Sequence, residues 1–206
     1  PGAVFVDAHA EISAMRLHKL PEEVELQRKA IRLSEAALED TLREIRVGMS
    51  ETEIESLLLR NPFAHGADGL ALAPIVAAGD NAAKPHAHAR ADYRIKPGDA
   101  LLFDFGGSYQ GYSADITRTF FVKEVSDFDR AFYETVLAAN ARGREVSRAG
   151  ITASDVDDAV QRVLETSQFA AFRRHKTGHG LGLDVHEAPQ IMRGNAQALE
   201  PGMVFT

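Results

Sequence analysis

The chain of 206 residues contains no cysteine. This absence excludes disulfides, a thiolate nucleophile and any zinc site built from cysteine, so that a metal ion would have to be bound by histidine and carboxylate side chains. No apolar run approaches the roughly 18 residues of a membrane span. The first residues, PGAVFVDAHA, lack the basic start and long apolar core of a signal peptide. These absences favour a cytoplasmic protein without a membrane partner.

The chain also lacks an excess of positive charge and several known catalytic sequence motifs. The formal net charge is -7, whereas a nucleic-acid-binding surface requires clustered Lys and Arg. No GxSxG elbow, phosphate-binding loop or HExxH motif occurs. Apolar residues make up 45% and charged residues 26%, which is typical of a soluble globular protein. The length fits one domain with a sizeable core.

The periodicity of the chain predicts an α+β fold. Pro21 followed by two acids is typical of a helix start, and we expect that helix to end near Gly48. Ser50 and Thr152 each begin a capping box at the start of a helix. A further helix, capped by Ser126, should run over 127–147, and the helix after Thr152 should end near residue 166. Strands are predicted at 4–8, 73–77, 100–107, 115–122 and within 176–189.

An internal repeat relates two parts of the chain. Residues 45–54 read IRVGMSETEI and residues 147–156 read SRAGITASDV, with Gly48 and Gly150 placed 102 positions apart. Each copy lies between two predicted helices. The match predicts a duplicated helix–helix–strand unit. The alternative is coincidence, because a glycine shortly before an N-cap residue is common between helices. Ligand sites favour the junction between such halves.

Two aspartates are candidates for metal binding. Asp104 lies inside an apolar strand, and Asp115 begins the next strand. If the hairpin turns about Tyr109 and Gln110, the two aspartates are cross-strand partners with Cβ atoms about 5 Å apart. Two carboxylates that close in an apolar setting require a shared proton or a cation. Asp115 could equally be a solvated strand-end residue, whereas Asp104 has Phe on both sides.

His179 and His186 lie in the glycine-rich run GHGLGLDVHEAP, residues 178–189. Glycines at alternate positions leave one face of the strand open, so another group should approach that backbone closely. In one straight strand, two residues seven apart face opposite ways. We therefore expect one histidine to be a metal ligand and the other to contact the substrate. Asp184 and Glu187 could orient a histidine or be solvated.

His86 is a third candidate because it lies in an irregular segment rich in Gly, Pro and Ala, where functional groups are common. Its neighbour His88 is an equal alternative on chemistry alone. The other four histidines have no partner pattern and are interpreted as surface residues: His9, His18, His65 and His175.

Three motifs in this order resemble the metallopeptidases of the pita-bread fold, which include prolidase and Xaa-Pro aminopeptidase. The motifs read GDALLFDFG (98–106), DITRTF (115–120) and GHGLGLDVHEAP (178–189). The resemblance runs from about Arg16 to Thr206 and is nearer to the proline-specific branch than to methionine aminopeptidase. It implies duplicated helix–helix–strand units around a curved antiparallel sheet, and hydrolysis of the bond N-terminal to proline by an Xaa-Pro dipeptidase or aminopeptidase.

The resemblance also implies a role for each site residue. Asp104 would bind one divalent ion, Asp115 would bridge two, and His179 would bind the second, while His86 and His186 would contact the substrate. The two ions would lie about 3.5–4 Å apart and share a bridging hydroxide. Carboxylate-rich ligands favour Mn²⁺, with Co²⁺ or Zn²⁺ as alternatives. The partners implied are a proline-containing peptide and a second copy in a homodimer.

The chain departs from the family pattern at its ends. The family has two further glutamate ligands, the first of them the general base, after a segment resembling PGMVFT, residues 201–206. The sequence therefore predicts an incomplete catalytic domain over 21–206, with residues 1–20 as a linker from an absent N-terminal domain. Such a fragment should bind metal weakly and turn over poorly. Leu72 and Ala73 stand where the family often has an aromatic residue, so the resemblance implies a different pocket floor.

Two other classes of protein share the fold. One is a metal-free hydrolase like creatinase, against which the presence of Asp104, Asp115 and His179 argues. The other is a non-catalytic peptide-binding module, which would be expected to have lost such ligands.

Overall fold

The structure is a computed structural model that describes residues 2–206. Its five helices in the described range are α1 (His9–Leu17), α2 (Pro21–Glu44), α3 (Glu51–Ala64), α4 (Asp127–Val146) and α5 (Ala153–Glu165). Its strands are β1 (Gly69–Leu70), β2 (Ile75–Ala78), β3 (Ala100–Phe105), β4 (Gly107–Tyr109), β5 (Tyr112–Ser113), β6 (Ile116–Phe121), β7 (Gly178–Gly180) and β8 (Glu187–Ile191). Short 3₁₀ turns lie at Gly79–Ala83 and Ala170–Phe172.

Helix starts follow the sequence closely. Proline occupies the first turn of α2, where its missing N–H costs nothing. The predicted capping boxes at Ser50 and Thr152 are both present, with each hydroxyl accepting a hydrogen bond from a backbone N–H three residues on. Ser126 caps α4 in the same way. These caps satisfy N–H groups that a helix start would otherwise leave unpaired.

All strand pairs are antiparallel. The central sheet has the order β2-β3-β6, and β1-β4-β5 forms a second small sheet. The chain runs from β3 into β4 and returns through β5 into β6, so the two sheets share one long hairpin. β7 and β8 form a separate pair. The mixture of helices with antiparallel strands confirms the α+β prediction.

The core lies between α2, α3 and the central sheet. Alternate residues of β3 face it, and both Phe103 and Phe105 are 0% exposed. Ile54 and Leu58 of α3 pack against the same cluster. A smaller core joins α5 to β8 and the last residues of the chain; its buried members are Ala153, Val156, Ile191 and Leu199.

The predicted duplication is present in three dimensions. Gly48 has φ +92° and Gly150 has φ +93°. The N–H of Gly48 donates to the carbonyl of Ile95 and that of Gly150 to Leu199, each at 2.9 Å. Ser50 and Thr152 each form an isolated antiparallel bridge with the residue before these acceptors. Each helix–helix junction is thus fixed to a later segment in the same way.

One predicted strand is wrong. Residues 4–8 form no strand, and the chain instead enters the helix α1 at His9. Val4, Phe5 and Val6 are each more than 80% exposed, so a run of β-prone residues has no neighbouring strand to pair with. Within the described chain, no helix combines the length and the apolar composition needed to cross a membrane.

Candidate metal centre

Asp104 lies on the face of β3 opposite to the core. Its neighbours Phe103 and Phe105 point to the other face, so they do not bury its carboxylate, because successive side chains of a strand alternate. Thr117 donates a hydrogen bond to Asp104 Oδ1 at 3.0 Å. The strand therefore presents this carboxylate on the half-buried side of the sheet.

The predicted pairing of the two aspartates is wrong by two residues. Asp104 pairs with Thr117, and Tyr109 pairs with Tyr112, so the hairpin turns at Gln110 and Gly111. Gln110 adopts φ +49° and Gly111 φ +82°, which suits a tight turn of this kind. Asp115 is therefore a diagonal neighbour of Asp104 on the same face, a separation typically about 7–8 Å between Cα atoms.

Asp115 and His179 are in direct contact across the two halves of the chain. His179 Nε2 lies 3.4 Å from Asp115 Oδ2, with 15% and 14% of the two side chains exposed. Burial raises the pKa of Asp115, and the charge of Asp104 raises it further, while His179 and His186 oppose the shift. The site therefore disfavours a negative charge on Asp115 unless a cation compensates it.

The other ring nitrogen of His179 fixes its tautomer. Nδ1 lies 3.1 Å from the carbonyl oxygen of Gly180, and a carbonyl can only accept, so Nδ1 carries the proton in the neutral ring. Nε2 then presents a lone pair to the carboxylate of Asp115. Two acceptors facing each other require a proton on Nε2 or a cation that both can bind.

His186 lies beside His179, against the expectation from a straight strand. The two ring centroids are 4.2 Å apart with an angle of 50° between the planes. The chain leaves β7 after Gly180, turns through residues 181–186 and re-enters β8 at Glu187, which pairs with Gly180. Spacing along the sequence does not show this turn, so the prediction that the two histidines face opposite ways is wrong. Their separate roles stay a prediction.

The glycines of this run admit close neighbours, as the sequence predicted. A Cβ on Gly178 would lie 1.8 Å from the carbonyl oxygen of Thr206, and one on Gly180 would lie 2.0 Å from that of Ala188. The approaching group is the protein's own backbone. Gly106 serves the same purpose next to Asp115, since a Cβ there would lie 1.7 Å from the carbonyl oxygen of Ala114.

His86 lies in an exposed turn with φ +52°. In residues 2–206, no hydrogen bond or ion pair joins it to Asp115, His179 or His186. His88 is exposed as well, so the choice between the two stays a prediction. The four histidines interpreted as surface residues are all exposed.

The segment of His86 is anchored by an ion pair between Arg90 and the buried Glu51, which the sequence did not predict. Glu51 is 0% exposed and accepts hydrogen bonds from Arg90 Nη2 at 2.9 Å, from the N–H of Ala78 at 2.7 Å and from Asn81 Nδ2 at 3.0 Å. Hydrogen bonding to Glu51 raises the pKa of Arg90. In the sequence, Glu51 is simply an acid in the first turn of a helix, and nothing in its spacing indicates Arg90.

Asp184 and Glu187 contact neither histidine ring through a hydrogen bond in the described chain. Arg16 Nη2 lies 2.7 Å from Asp184 Oδ2 and also bonds Glu187, while Lys19 Nζ lies 3.0 Å from Glu187 Oε2. The suggestion that the acids orient a histidine side chain directly is therefore wrong, and so is a solvated role for Glu187, whose side chain is 9% exposed. Both cations come from the segment predicted to be a linker.

The donor groups suit a divalent ion but do not complete a site. Asp104, Asp115 and His179 offer two carboxylates and one imidazole, which are ordinary ligands of Mn²⁺, Co²⁺ and Zn²⁺. Within residues 2–206, no group of three or more His, Asp or Glu side chains is placed closely enough to hold a metal ion. The contact of Asp115 with His179 brings two of these three donor groups together.

Comparison with known proteins identifies the family. The model of metallopeptidase family M24 matches residues 25–206. The chain is 34% identical over 195 residues to an Xaa-Pro dipeptidase of Pyrococcus furiosus, covering 95% of this chain and 56% of that protein. It is also 34% identical over 205 residues to a putative dipeptidase, YkvY, of Bacillus subtilis, covering 100% of this chain and 56% of the relative.

Solved structures share the fold. An X-Pro aminopeptidase from Thermotoga maritima superposes with a TM-score of 0.92 at 37% identity, over 95% of this chain and 55% of the other. The prolidase from Pyrococcus furiosus gives 0.91 at 33% identity, over 95% of this chain and 58% of the other. These similarities confirm the pita-bread fold. The chain spans little more than half the length of the relatives it matches, and by sequence and by fold it belongs to metallopeptidase family M24.

Proposed function

We propose that this chain carries part of the catalytic site of a metal-dependent peptidase that cleaves the bond N-terminal to proline. The contact that carries the proposal is His179 Nε2 at 3.4 Å from Asp115 Oδ2. It places a lone pair against a carboxylate whose pKa is already raised by burial and by Asp104. Similarity to an Xaa-Pro dipeptidase and to an X-Pro aminopeptidase supports specificity for proline.

In this proposal Asp104, Asp115 and His179 would hold the divalent ions, with Asp115 as the carboxylate shared between them. Family resemblance adds two glutamates as the remaining ligands. Two carboxylates to one imidazole favour a hard ion such as Mn²⁺. When bound, the ions would lower the pKa of a water molecule and polarise the scissile carbonyl.

His186 and His86 are proposed to contact the peptide. An imidazole N–H can donate to the oxyanion that forms as the peptide bond breaks, and such a donor is worth most where it is already in position. The ring of His186 against that of His179 supports this role. His86 projects from the turn that Arg90 and Glu51 hold in place. A homodimer and a cytoplasmic location stay predictions from the sequence.

The test is peptide hydrolysis by the full-length protein. We expect cleavage of an Xaa-Pro dipeptide or an Xaa-Pro-Xaa tripeptide, and no comparable cleavage when alanine replaces proline. Asp115→Asn should lower kcat by at least about a hundredfold, the size of effect seen when a group acting in the transition state is removed. Asp92→Asn changes an exposed carboxylate and should leave the rate unchanged.

The preferred substrate length decides between dipeptidase and aminopeptidase. Equal cleavage of proline and alanine peptides would show that the proposed specificity for proline is wrong. Peptide binding without any turnover would instead favour the non-catalytic module.

A further inference from the structure

Residues 181–186 form the loop that carries His186 between β7 and β8, and we call it the His186 loop. The carboxylate of Glu187 fills the inside of this loop. It accepts a hydrogen bond from the N–H of Asp184 at 2.9 Å. A Cβ on Gly182 would lie 2.6 Å from Glu187 Oε2, so the glycine makes room for the carboxylate. The conformation of the loop therefore depends on where this carboxylate lies.

Two cations from outside the loop fix that carboxylate. Lys19 Nζ bonds Oε2 at 3.0 Å, with 3% of the lysine side chain and 9% of the glutamate side chain exposed. Arg16 bonds Oε1 and also reaches Asp184 Oδ2 at 2.7 Å. A buried charge that loses a partner is disfavoured, so removing Lys19 should weaken the hold on the Glu187 carboxylate even with Arg16 in place.

The backbone of Lys19 and that of the His186 loop are each anchored to other parts of the chain. The N–H of Lys19 donates to the carbonyl of Gly202 at 2.8 Å, next to the strand-like end of the chain. From α2, Gln27 Nε2 donates to the carbonyl of Leu181 at 3.0 Å. On the other side, the N–H of Ser113 donates to the carbonyl of Gly182 at 2.8 Å. Lys19 therefore acts from a fixed frame rather than from a flexible segment.

We infer that Lys19 and Arg16 are positioning residues, which act through Glu187 to hold the ring of His186 against that of His179. The inference rests on the proposed function, in which His186 contacts the peptide. It gives the segment before α2 a part in catalysis without contact with substrate or metal. The ring centroid distance of 4.2 Å is the geometry that these two cations maintain.

A double-mutant cycle on the full-length protein tests the inference through kinetics. Lys19→Met should lower kcat for an Xaa-Pro peptide at least tenfold and change KM less than threefold. In a His186→Ala background, the same substitution should lower kcat less than twofold, because the residue it positions is gone. Equal losses in both backgrounds would show that Lys19 does not act through His186 and would overturn the inference.

Hydrogen exchange of the backbone supplies a readout that does not depend on activity. Lys19→Met should speed exchange in residues 181–187 at least tenfold and leave β3 unchanged. Lys96→Met is the control. It also removes an ammonium next to a buried carboxylate, 2.8 Å from that of Asp99, but from a lysine side chain that is 63% exposed. That variant should not affect exchange in the His186 loop.

Unchanged loop exchange in Lys19→Met, or the same increase in Lys96→Met, would overturn the inference. If Lys19→Met does not fold, Arg16→Met replaces a side chain that is 33% exposed and should show the same pattern at smaller size. If the wild-type protein cleaves no proline peptide, the proposed function fails. In that case the exchange measurement alone decides whether the two cations hold the loop.

Discussion

At the scale of single residues, Asp99 and Asp115 show how the surroundings of a carboxylate decide the direction of its pKa shift. Asp99 is 6% exposed and accepts hydrogen bonds from Lys96 Nζ at 2.8 Å and from the Tyr93 hydroxyl at 2.9 Å. Burial acts to raise the pKa of Asp99, but these hydrogen bonds outweigh it and the pKa is lowered. Asp115 has His179 as its polar neighbour, and its pKa is raised. Asp99 is thus stabilised as an anion by the protein, whereas the surroundings of Asp115 disfavour its negative charge unless a neighbouring positive charge compensates it.

A depressed pKa makes the contribution of Asp99 to stability depend on pH. The contribution is fully present above the unfolded-state pKa of about 3.9 and is lost as the pH falls towards the lower folded-state pKa. Asp99→Asn should therefore lower the free energy of unfolding by about 1–3 kcal/mol at neutral pH. The difference from wild type should shrink below about pH 3. Urea denaturation at both pH values measures it, and a cost that does not change with pH would contradict the assignment.

At the scale of elements, the duplicated junctions are the clearest feature. Gly48 and Gly150 share a φ near +92° and the same hydrogen bond to a later segment. A Cβ on either would meet nothing within 4 Å. The requirement for glycine is therefore one of backbone conformation and not of space.

Because Gly48 and Gly150 have the same positive φ, replacing either one should destabilise the fold by the same amount. Gly48→Ala and Gly150→Ala should each lower the free energy of unfolding by roughly 1–2 kcal/mol, the penalty for a side chain at positive φ. The double variant should show the sum, since the two sites share no partners. Gly2→Ala, at a position without this conformation and also with nothing within 4 Å, is the control and should be neutral. Chemical denaturation of the full chain measures all four, and a neutral change at either junction would show that the halves are not equivalent.

Local signals explain which elements could be predicted from the sequence. Ser50, Ser126 and Thr152 mark helix starts because a cap acts within four residues. The predicted register of the long hairpin is wrong because the turn lies at Gln110 and Gly111. The glycine at the second turn position, where φ is positive, is the local signal that favours this pair over Tyr109 and Gln110. The turn between β7 and β8 was missed because it depends on Lys19, which is 168 positions from Glu187.

At the scale of the whole molecule, the candidate site joins the two halves. Asp104 and Asp115 come from the hairpin of the first half, and His179 comes from β7 of the second. The order of the three motifs indicated the family, and the duplication indicated a site at the junction. Distances within the site depend on how the halves pack, which residue spacing does not contain.

The most direct measurement is a metal titration of the full-length protein. After removal of bound metal with a chelator, Mn²⁺ is added while hydrolysis of an Xaa-Pro peptide is followed. We expect no hydrolysis without metal, a rise to a plateau at about two ions per chain, as in a two-metal hydrolase, and none at any metal concentration in Asp115→Ala. Full hydrolysis by protein shown to be free of metal, or wild-type rates in Asp115→Ala, would contradict a catalytic metal centre at Asp104, Asp115 and His179.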